Sequence, residues 1–497
     1  MRNTNSNYIL LPFRFDRFNG EILVVNEVGQ YYILPFNKFK SFIEGKLSKT
    51  SVHYKNLKSM QFISDKICLP DQINIIATAY RTKKRFLFEF TTLHMIVLTR
   101  RCNQQCSYCH VSSLPEYSGS NFDMSISKIH SCIDIILKSP SKDIKIEIQG
   151  GEPLLRFDLI KELVRYAKEQ NDKLNIKKSI EFVVCTNLIA LNQYMLDFFK
   201  NEKIQISTSL DGPKDIHDSC RKLVNGKGSY DIVKDKLKWA INYLSKGSVG
   251  ALMTITPYNI NRLKEVVDEY ISIGLDSIFL RPINPFGRAT NPEFFNAYTT
   301  EDFLNQYKAI LEYIIEVNKY RHFPEIYTTI LLTKIITPFS TGFVDLQSPA
   351  GVGISGVIYD VSGDVFVSDE ARMMNYVYGE KKFCIGNVNM GSFKSIFCND
   401  KLKKIISESC SESLAPCAWC AYLPYCGLDP VRNFIKYDTI SPYMGKTEDC
   451  IRHKEMFKHL ITLIESGDND KINILWSWIT SRSVKEIAPS INIEEYL

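Results

Sequence analysis

Two rhythms of apolar residues alternate along the chain from about Leu93. A short β-rich run at 94–99 precedes the stretch 125–137, whose Ile126, Ile129, Ile133, Ile136 and Leu137 fall on one helical face. The same order recurs: strand 144–148 with helix 157–168, strand 182–185 with helix 191–199, and strand 204–210 with helix 230–244. Strand 249–255 with helix 261–273 and strand 277–280 with helix 301–317 complete the series. Six β/α units with right-handed crossovers predict a parallel sheet covered by helices. Six units predict a partial barrel, with chemistry at the C-terminal ends of the strands.

The flanking segments follow other patterns. Apolar-aromatic runs at 9–15 and 21–26 are joined by Arg17-Phe18-Asn19-Gly20, and an Asn-Gly pair between such runs predicts a hairpin. Stretches 36–45 and 54–62 read as short helices, so 1–90 is expected to be a small α+β module. Beyond about Pro324 the alternation stops. A hairpin is predicted at 356–368 around Ser362-Gly363-Asp364, and cysteines crowd between Cys384 and Cys450, marking a loop-rich unit over 326–465. In the tail, 466–497, an apolar helix at 471–479 with Ile474, Leu475 and Trp478 is expected to pack back onto the body. Neither an internal repeat nor a low-complexity tract is found.

Composition narrows the class. At 497 residues the chain exceeds one ordinary domain. Its 45% hydrophobic and 23% charged content suits a globular core. The net charge of +6 comes without a dense basic stripe, which argues against nucleic acid. Apolar runs are too short to span a bilayer, and the polar start lacks the order of a signal peptide. A cytoplasmic location is expected, where fourteen cysteines serve metals better than disulfides.

Directly after the first strand stands Arg101-Cys102-Asn103-Gln104-Gln105-Cys106-Ser107-Tyr108-Cys109-His110. Three thiolates in one short loop can each hold one iron of a cubane, leaving the fourth iron without a protein ligand. An open coordination position is what a reactive metal site needs. Zinc with a distant fourth ligand, or three unrelated thiols, are the alternatives.

This spacing, ending in aromatic-Cys, resembles the signature of the radical S-adenosylmethionine (SAM) superfamily. The resemblance implies an α/β fold with a partial (β/α)6 barrel over 91–325. It implies a [4Fe–4S] cluster on Cys102, Cys106 and Cys109, with the amino and carboxylate groups of SAM on the open iron and Tyr108 against the adenine. After the second strand comes Gln149-Gly150-Gly151-Glu152-Pro153. Two glycines allow close approach of backbone to a ligand, although such a turn alone reads equally as a strand-to-helix connection. In the family it holds the SAM ammonium group, which implies cofactor contacts at Gly150, Gly151, Glu152 and Pro153. Asn187, ending the third strand, is expected beside them. The fourth strand reads Ser207-Thr208-Ser209-Leu210-Asp211-Gly212-Pro213, with Arg221 after it. Ser209 matches the family's ribose-binding serine by position, and Arg221 its carboxylate-binding arginine. Arg suits that task because it can give two parallel charge-assisted bonds; without the motif it reads as a surface arginine. Asp211 reads either as a turn cap or as a catalytic carboxylate.

Cys417, Cys420 and Cys426 are spaced x2 and x5, and Cys450 follows after a gap. Four thiolates can close a metal site, with zinc as the structural alternative. The segment resembles the SPASM domain, a C-terminal extension that carries auxiliary [4Fe–4S] clusters. The family pattern has two cysteines around a glycine hairpin, then C-x2-C-x5-C-x3-C, then a last cysteine. Here Ala350 and Ser368 stand near the first two positions and Pro430 at the x3 position. Those three positions serve one auxiliary cluster in the family. The resemblance therefore implies that this cluster is lost, and that one auxiliary cluster is kept on Cys417, Cys420, Cys426 and Cys450. Cys384, Cys398 and Cys410 are off-pattern and read as plain thiols, with Cys410 near enough in sequence to be a reserve ligand.

The runs Leu10-Leu11-Pro12-Phe13-Arg14-Phe15, Asn26-Glu27-Val28-Gly29 and Ser368-Asp369-Glu370-Ala371-Arg372-Met373 resemble the radical SAM maturases of the His-Xaa-Ser peptide system. This implies a ribosomally made peptide substrate with His-Xaa-Ser repeats, and a second radical SAM maturase as partner. An electron donor such as flavodoxin or ferredoxin is implied as well; neither nucleic acid nor membrane is. The N-terminal sheet could take a leader peptide as an added strand, or merely pack on the barrel. The implied reaction splits SAM to a 5′-deoxyadenosyl radical that abstracts hydrogen from the peptide, ending in a crosslink, an oxidation or an epimerisation. Asp369 and Glu370 are candidate bases, unless they simply face solvent. One rival is the sulfatase-maturase type of oxidation of a protein Ser or Cys, whose enzymes usually keep both auxiliary clusters. The other is a non-catalytic peptide-binding subunit, against which the intact three-cysteine loop speaks.

Overall fold

A computed structural model describes residues 7–487 apart from 285, 296 and 297. The first six residues of the expected 1–90 module and residues 488–497 of the expected tail lie outside the described residues. The chain forms two compact units. One gathers 1–88, 330–351 and 406–468; the other gathers 89–329, 352–405 and 469–497. The stretch 326–465 thus contributes to both.

The first unit opens with an antiparallel meander of β1 (Phe13–Phe18), β2 (Glu21–Asn26) and β3 (Tyr31–Leu34). Asn19 and Gly20 take positive φ at the first turn, as the Asn-Gly pair predicts. Strand β1 starts at Phe13, four residues later than the hydrophobic run, because Ile9–Leu10 pairs instead with Ile63–Ser64. Helices Phe36–Ile43 and Val52–Ser59 bring Phe39, Phe42 and Leu57 onto Val24, Leu34 and Phe62 to form the core. A further helix, Leu69–Lys83, escaped the periodicity because only Gln72 is buried along it, so it carries no apolar stripe.

The second unit holds the alternating segment. Its six strands are β4 (Leu93–Thr99), β5 (Asp143–Gly150), β6 (Ser179–Cys185), β7 (Gln205–Ser209), β8 (Val249–Ile255) and β9 (Leu280–Pro282). They pair in parallel, in chain order, through registers such as Leu93↔Lys145, Ser179↔Asp143 and Met253↔Leu280. Along β5, Ile144, Ile146 and Ile148 are buried on one face, while Lys145, Glu147 and Gln149 stand on the more open one. Strand β9 lies three residues beyond its expected start. Ile278 is instead drawn to the chain at 324–326, where it exchanges backbone bonds with Pro324 and Ile326.

The predicted hairpin forms as β10 (Gly356–Tyr359) and β11 (Asp364–Phe366). It is not a separate layer: β10 pairs in parallel with β4, and β12 (Cys384–Asn387) adds beyond β11, giving a nine-stranded sheet. The tail helix, Asn469–Thr480, packs on helix Thr300–Asn318, with the buried Trp478 indole donating to Asn318 Oδ1 at 2.9 Å.

Replacing Trp478 with Ala should destabilise the protein by about 3–5 kcal/mol, through the cavity it leaves. Tyr320→Ala, at a side chain 92% exposed, should change stability by less than about 0.5 kcal/mol. Denaturant unfolding followed by circular dichroism distinguishes them.

Candidate active site

The three-cysteine loop leaves the end of β4 and is clamped by backbone. Gly151 N–H donates to the Thr99 carbonyl and Glu152 N–H to the Arg101 carbonyl, both at 2.8 Å. A Cβ on Gly150 would lie 2.4 Å from the Thr99 carbonyl oxygen, and one on Gly151 2.3 Å from that of Arg101. The glycines thus admit the chain that leads into the cysteines. Glu152 is fully buried and faces inward as well. Its carboxylate accepts from Leu154 N, Thr186 Oγ1 and Asn187 N at 2.7–2.9 Å, tying the ends of β5 and β6 together. Burial pushes its carboxyl up to about 7, against those three donors. Pro153 is buried at the start of the turn that follows.

Around the loop, side chains converge from three strand ends. Asn187 Nδ2 donates to Asn103 Oδ1 at 2.8 Å and lies 3.7 Å from Cys102 Sγ. Asp211 is fully buried. Its Oδ2 accepts from Tyr108 OH at 2.5 Å and from Arg221 Nε at 2.8 Å, and its Oδ1 from Thr254 N at 3.3 Å. Arg221, only 13% exposed, is therefore no surface arginine. It bonds Tyr108 OH at 2.5 Å and brings Nη1 to 4.0 Å from Cys106 Sγ. Ser209 ends β7, half-buried.

The thiols suit a metal cluster by their mutual electrostatics. Burial pushes Cys106 up to about 12, with Cys109 adding to the shift and Arg221 opposing it. Cys102 is raised by burial first, then by Glu152, Cys106 and Cys109. Burial and mutual coupling favour the neutral form of these two thiols, which cationic charge such as that of iron would offset. In the first unit, Cys417 is pushed up to about 12 by burial and by Cys420 and Cys450. Cys426 is raised by burial and by Cys420, Cys450 and Cys417. Those four therefore form one mutually interacting set. Cys410 instead places its Sγ 3.3 Å from Glu412 Oε2, Cys384 lies near the Gly386 carbonyl, and Cys398 is exposed. Among the described residues no three His, Cys, Asp or Glu side chains converge on a single ion; a cubane offers each thiolate its own iron.

The three candidate bases have different surroundings. Asp369 begins helix Asp369–Tyr378 and is paired with His110 Nε2 at 2.9 Å and Arg372 Nη2 at 2.8 Å. Burial raises its carboxyl, but Arg372 and His110 outweigh that and hold it below the usual carboxylate range. Both oxygens of Asp211 are engaged as described. Glu370 is 17% exposed and, among the described residues, its ion pair is a distant one, to Arg281 at 3.8 Å.

Two further residues brace the loop without having stood out in the sequence. Arg288, just after β9, donates to the Cys106 and Ser113 carbonyls at 3.2 and 2.8 Å, while its backbone N–H donates to the Cys109 carbonyl at 3.0 Å. Its position in a Gly-Arg turn past a barrel strand was the available signal. His110 couples the loop to Asp369 and could have been read only with the fold in hand.

Residues 96–270 match the radical SAM superfamily. An uncharacterized protein of Methanocaldococcus jannaschii, MJ0907, is 32% identical over 196 residues, 39% of this chain, which spans 63% of that relative. A cysteine-type anaerobic sulfatase-maturating enzyme of Clostridium novyi is 24% identical over 349 residues, 67% of this chain and 85% of that one. The same fold occurs in anSMEcpe bound to AdoMet and the Cp18Cys peptide, with TM-score 0.62, 19% identity, and 78% and 99% of the two chains covered. It occurs again in Streptococcus suis SuiB bound to its precursor peptide SuiA, with TM-score 0.52, 13% identity, and 88% and 98% covered.

Gly151→Ala should cost about 1–3 kcal/mol and lower the iron taken up on reconstitution. Gly250→Ala, with nothing within 4 Å of the added methyl, should change neither; melting temperature and iron assay read both. Glu152 generates a pH dependence. The folded state holds its proton more tightly than the unfolded chain does, so its contribution to stability falls as pH rises from about 4.5 to about 7, then levels. Metal-free Glu152→Gln protein should lack this slope, on the order of 3 kcal/mol at most, in urea midpoints measured at pH 5 and pH 8.

Proposed function

We propose that the chain is a radical SAM enzyme, with a [4Fe–4S] cluster and SAM as its cofactors, and that it modifies a ribosomally made peptide carrying His-Xaa-Ser repeats. The observation that carries the catalytic half of this reading is the three-thiol loop, with Arg221 directed at Cys106. When bound, the cluster and SAM together supply a 5′-deoxyadenosyl radical that takes a hydrogen atom from an unactivated carbon.

The chain's own residues bind, orient and enclose. Cys102, Cys106 and Cys109 are the cluster ligands. Arg221, fixed by Asp211 and Tyr108, would hold the SAM carboxylate, and Ser209 the ribose. Tyr108 would lie against the adenine. The backbone of Gly150–Pro153 would hold the ammonium group, with Glu152 clamping the turn and Asn187 beside Cys102. Glu370 is the base, being the one of the three carboxylates not committed to a close cation. Asp369 and Asp211 are positioning residues.

Cys417, Cys420, Cys426 and Cys450 hold one auxiliary [4Fe–4S] cluster. Three observations support the loss of the second. Ser368 caps helix Asp369–Tyr378 through Ala371 N, Pro430 starts helix Pro430–Tyr437, and Ala350 is buried. The His-Xaa-Ser assignment rests on the resemblance of the N-terminal runs and of 368–373. Arg14 Nε donates to the Ala418 carbonyl at 2.7 Å, and Tyr425 OH to the Gly29 carbonyl at 2.7 Å, so both runs dock on the second cysteine segment. The peptide-bound relatives of the same fold point to a peptide substrate. A second reading, oxidation of a protein Ser or Cys, is favoured by the likeness to the Clostridium novyi enzyme.

Anaerobically reconstituted protein should hold about eight irons per chain, falling to about four in the Cys417/Cys420/Cys426/Cys450→Ser variant. With SAM, dithionite and a His-Xaa-Ser peptide it should release 5′-deoxyadenosine and alter the peptide, by loss of two hydrogens or by deuterium uptake from heavy water. The Cys102/Cys106/Cys109→Ala variant should release none. Zinc in place of iron, or modification of a sulfatase peptide alone, would refute the reading.

A further inference from the structure

In the first unit an open-sided cleft of about 630 Å³, solvent side included, is bordered by four cations and two carboxylates. Arg14 is paired with Glu27 at 3.0 Å and Lys84 with Glu412 at 2.5 Å. The other two cations, Lys83 and Lys334, have no ion-pair partner among the described residues. Lys83 Nζ donates to the Lys334 carbonyl at 2.9 Å, and Lys334 Nζ to the Leu346 carbonyl at 2.6 Å. Each ammonium has three donors, so both keep donors to spare after these bonds. Cys426 shares the cleft, and an anion placed between the two ammonium groups would gain charge-assisted bonds from both.

The walls narrow the choice of anion. Tyr80, Phe86, Phe339 and Leu346 present apolar surface beside the ammonium groups. A carboxylate on a short carbon stem satisfies both features, since its head meets the lysines and its stem covers the rings. A bare phosphate would leave those walls unfilled.

We infer that this cleft binds a carboxylate-bearing ligand through Lys83 and Lys334, whether a glutamyl side chain of a peptide or a free dicarboxylic acid. The inference is independent of whether the chain modifies a peptide. It is tested by isothermal titration of the reconstituted full chain at low salt with glutarate, with a capped Glu-Glu dipeptide and with inorganic phosphate. One or both carboxylates should bind. Affinity should fall at least about tenfold, some 1.4 kcal/mol, in Lys83→Met/Lys334→Met protein of unchanged melting temperature, and return in Lys83→Arg/Lys334→Arg. Tighter binding of the dipeptide identifies a peptide source, and tighter binding of glutarate a free acid; either upholds the site. Binding of phosphate alone, no binding at all, or equal affinity in the methionine variant overturns it. If the double variant melts early, the single Lys83→Gln and Lys334→Gln variants carry the same expectation.

Discussion

Three thiols held close together in a buried loop are the constraint around which the second unit is built. Burial and mutual repulsion both oppose the ionisation of Cys102 and Cys106, so the loop cannot be held by the thiols themselves. It is held by groups that need no metal. The backbone at Thr99 and Arg101 receives the turn after β5, Arg288 bridges two loop carbonyls, and Asp211 fixes Arg221 and Tyr108. A parallel sheet makes this economical in chain length, because it brings the ends of consecutive strands to one rim. Arg221 is the sole guanidinium among these that also reaches toward a thiol, and its orientation is set by a carboxylate buried on its far side.

The first unit meets a similar demand with different means. Four cysteines from 417–450 share their environment with the N-terminal strand β1, and Lys454, paired with Asp16 at 2.8 Å, adds a cation beside Cys420 and Cys450. Residues some four hundred apart in sequence are thereby locked together, as the Arg14–Ala418 and Gly29–Tyr425 bonds record. The N-terminal module and the second cysteine group form one body, so neither is a free appendage.

Much of this was legible beforehand where the signal is local. The strand-helix rhythm predicted all six parallel strands, since apolar runs and amphipathic helices announce themselves within a dozen residues. The Asn19-Gly20 turn and the 356–368 hairpin were read the same way. What escaped was long-range. Nothing local says that β10 pairs with β4, or that 330–351 joins the N-terminal module. The turn at Gly150-Gly151 was found; that the space beside it is taken by the backbone of Thr99 and Arg101 only the fold reveals. Likewise Glu152, Asp211 and Asp369 were visible as carboxylates, while their commitment to inward partners depends on side chains from distant parts of the chain.

The central claim is that the trio at Cys102, Cys106 and Cys109 leaves one iron open for SAM. Electron–nuclear double resonance of the reduced protein, with SAM labelled at its amino nitrogen and carboxylate oxygen, tests this most directly. The account predicts couplings from both labels to one iron of the cluster. A fully assembled cluster that shows neither coupling, or one with protein thiolates on all four irons, would contradict it.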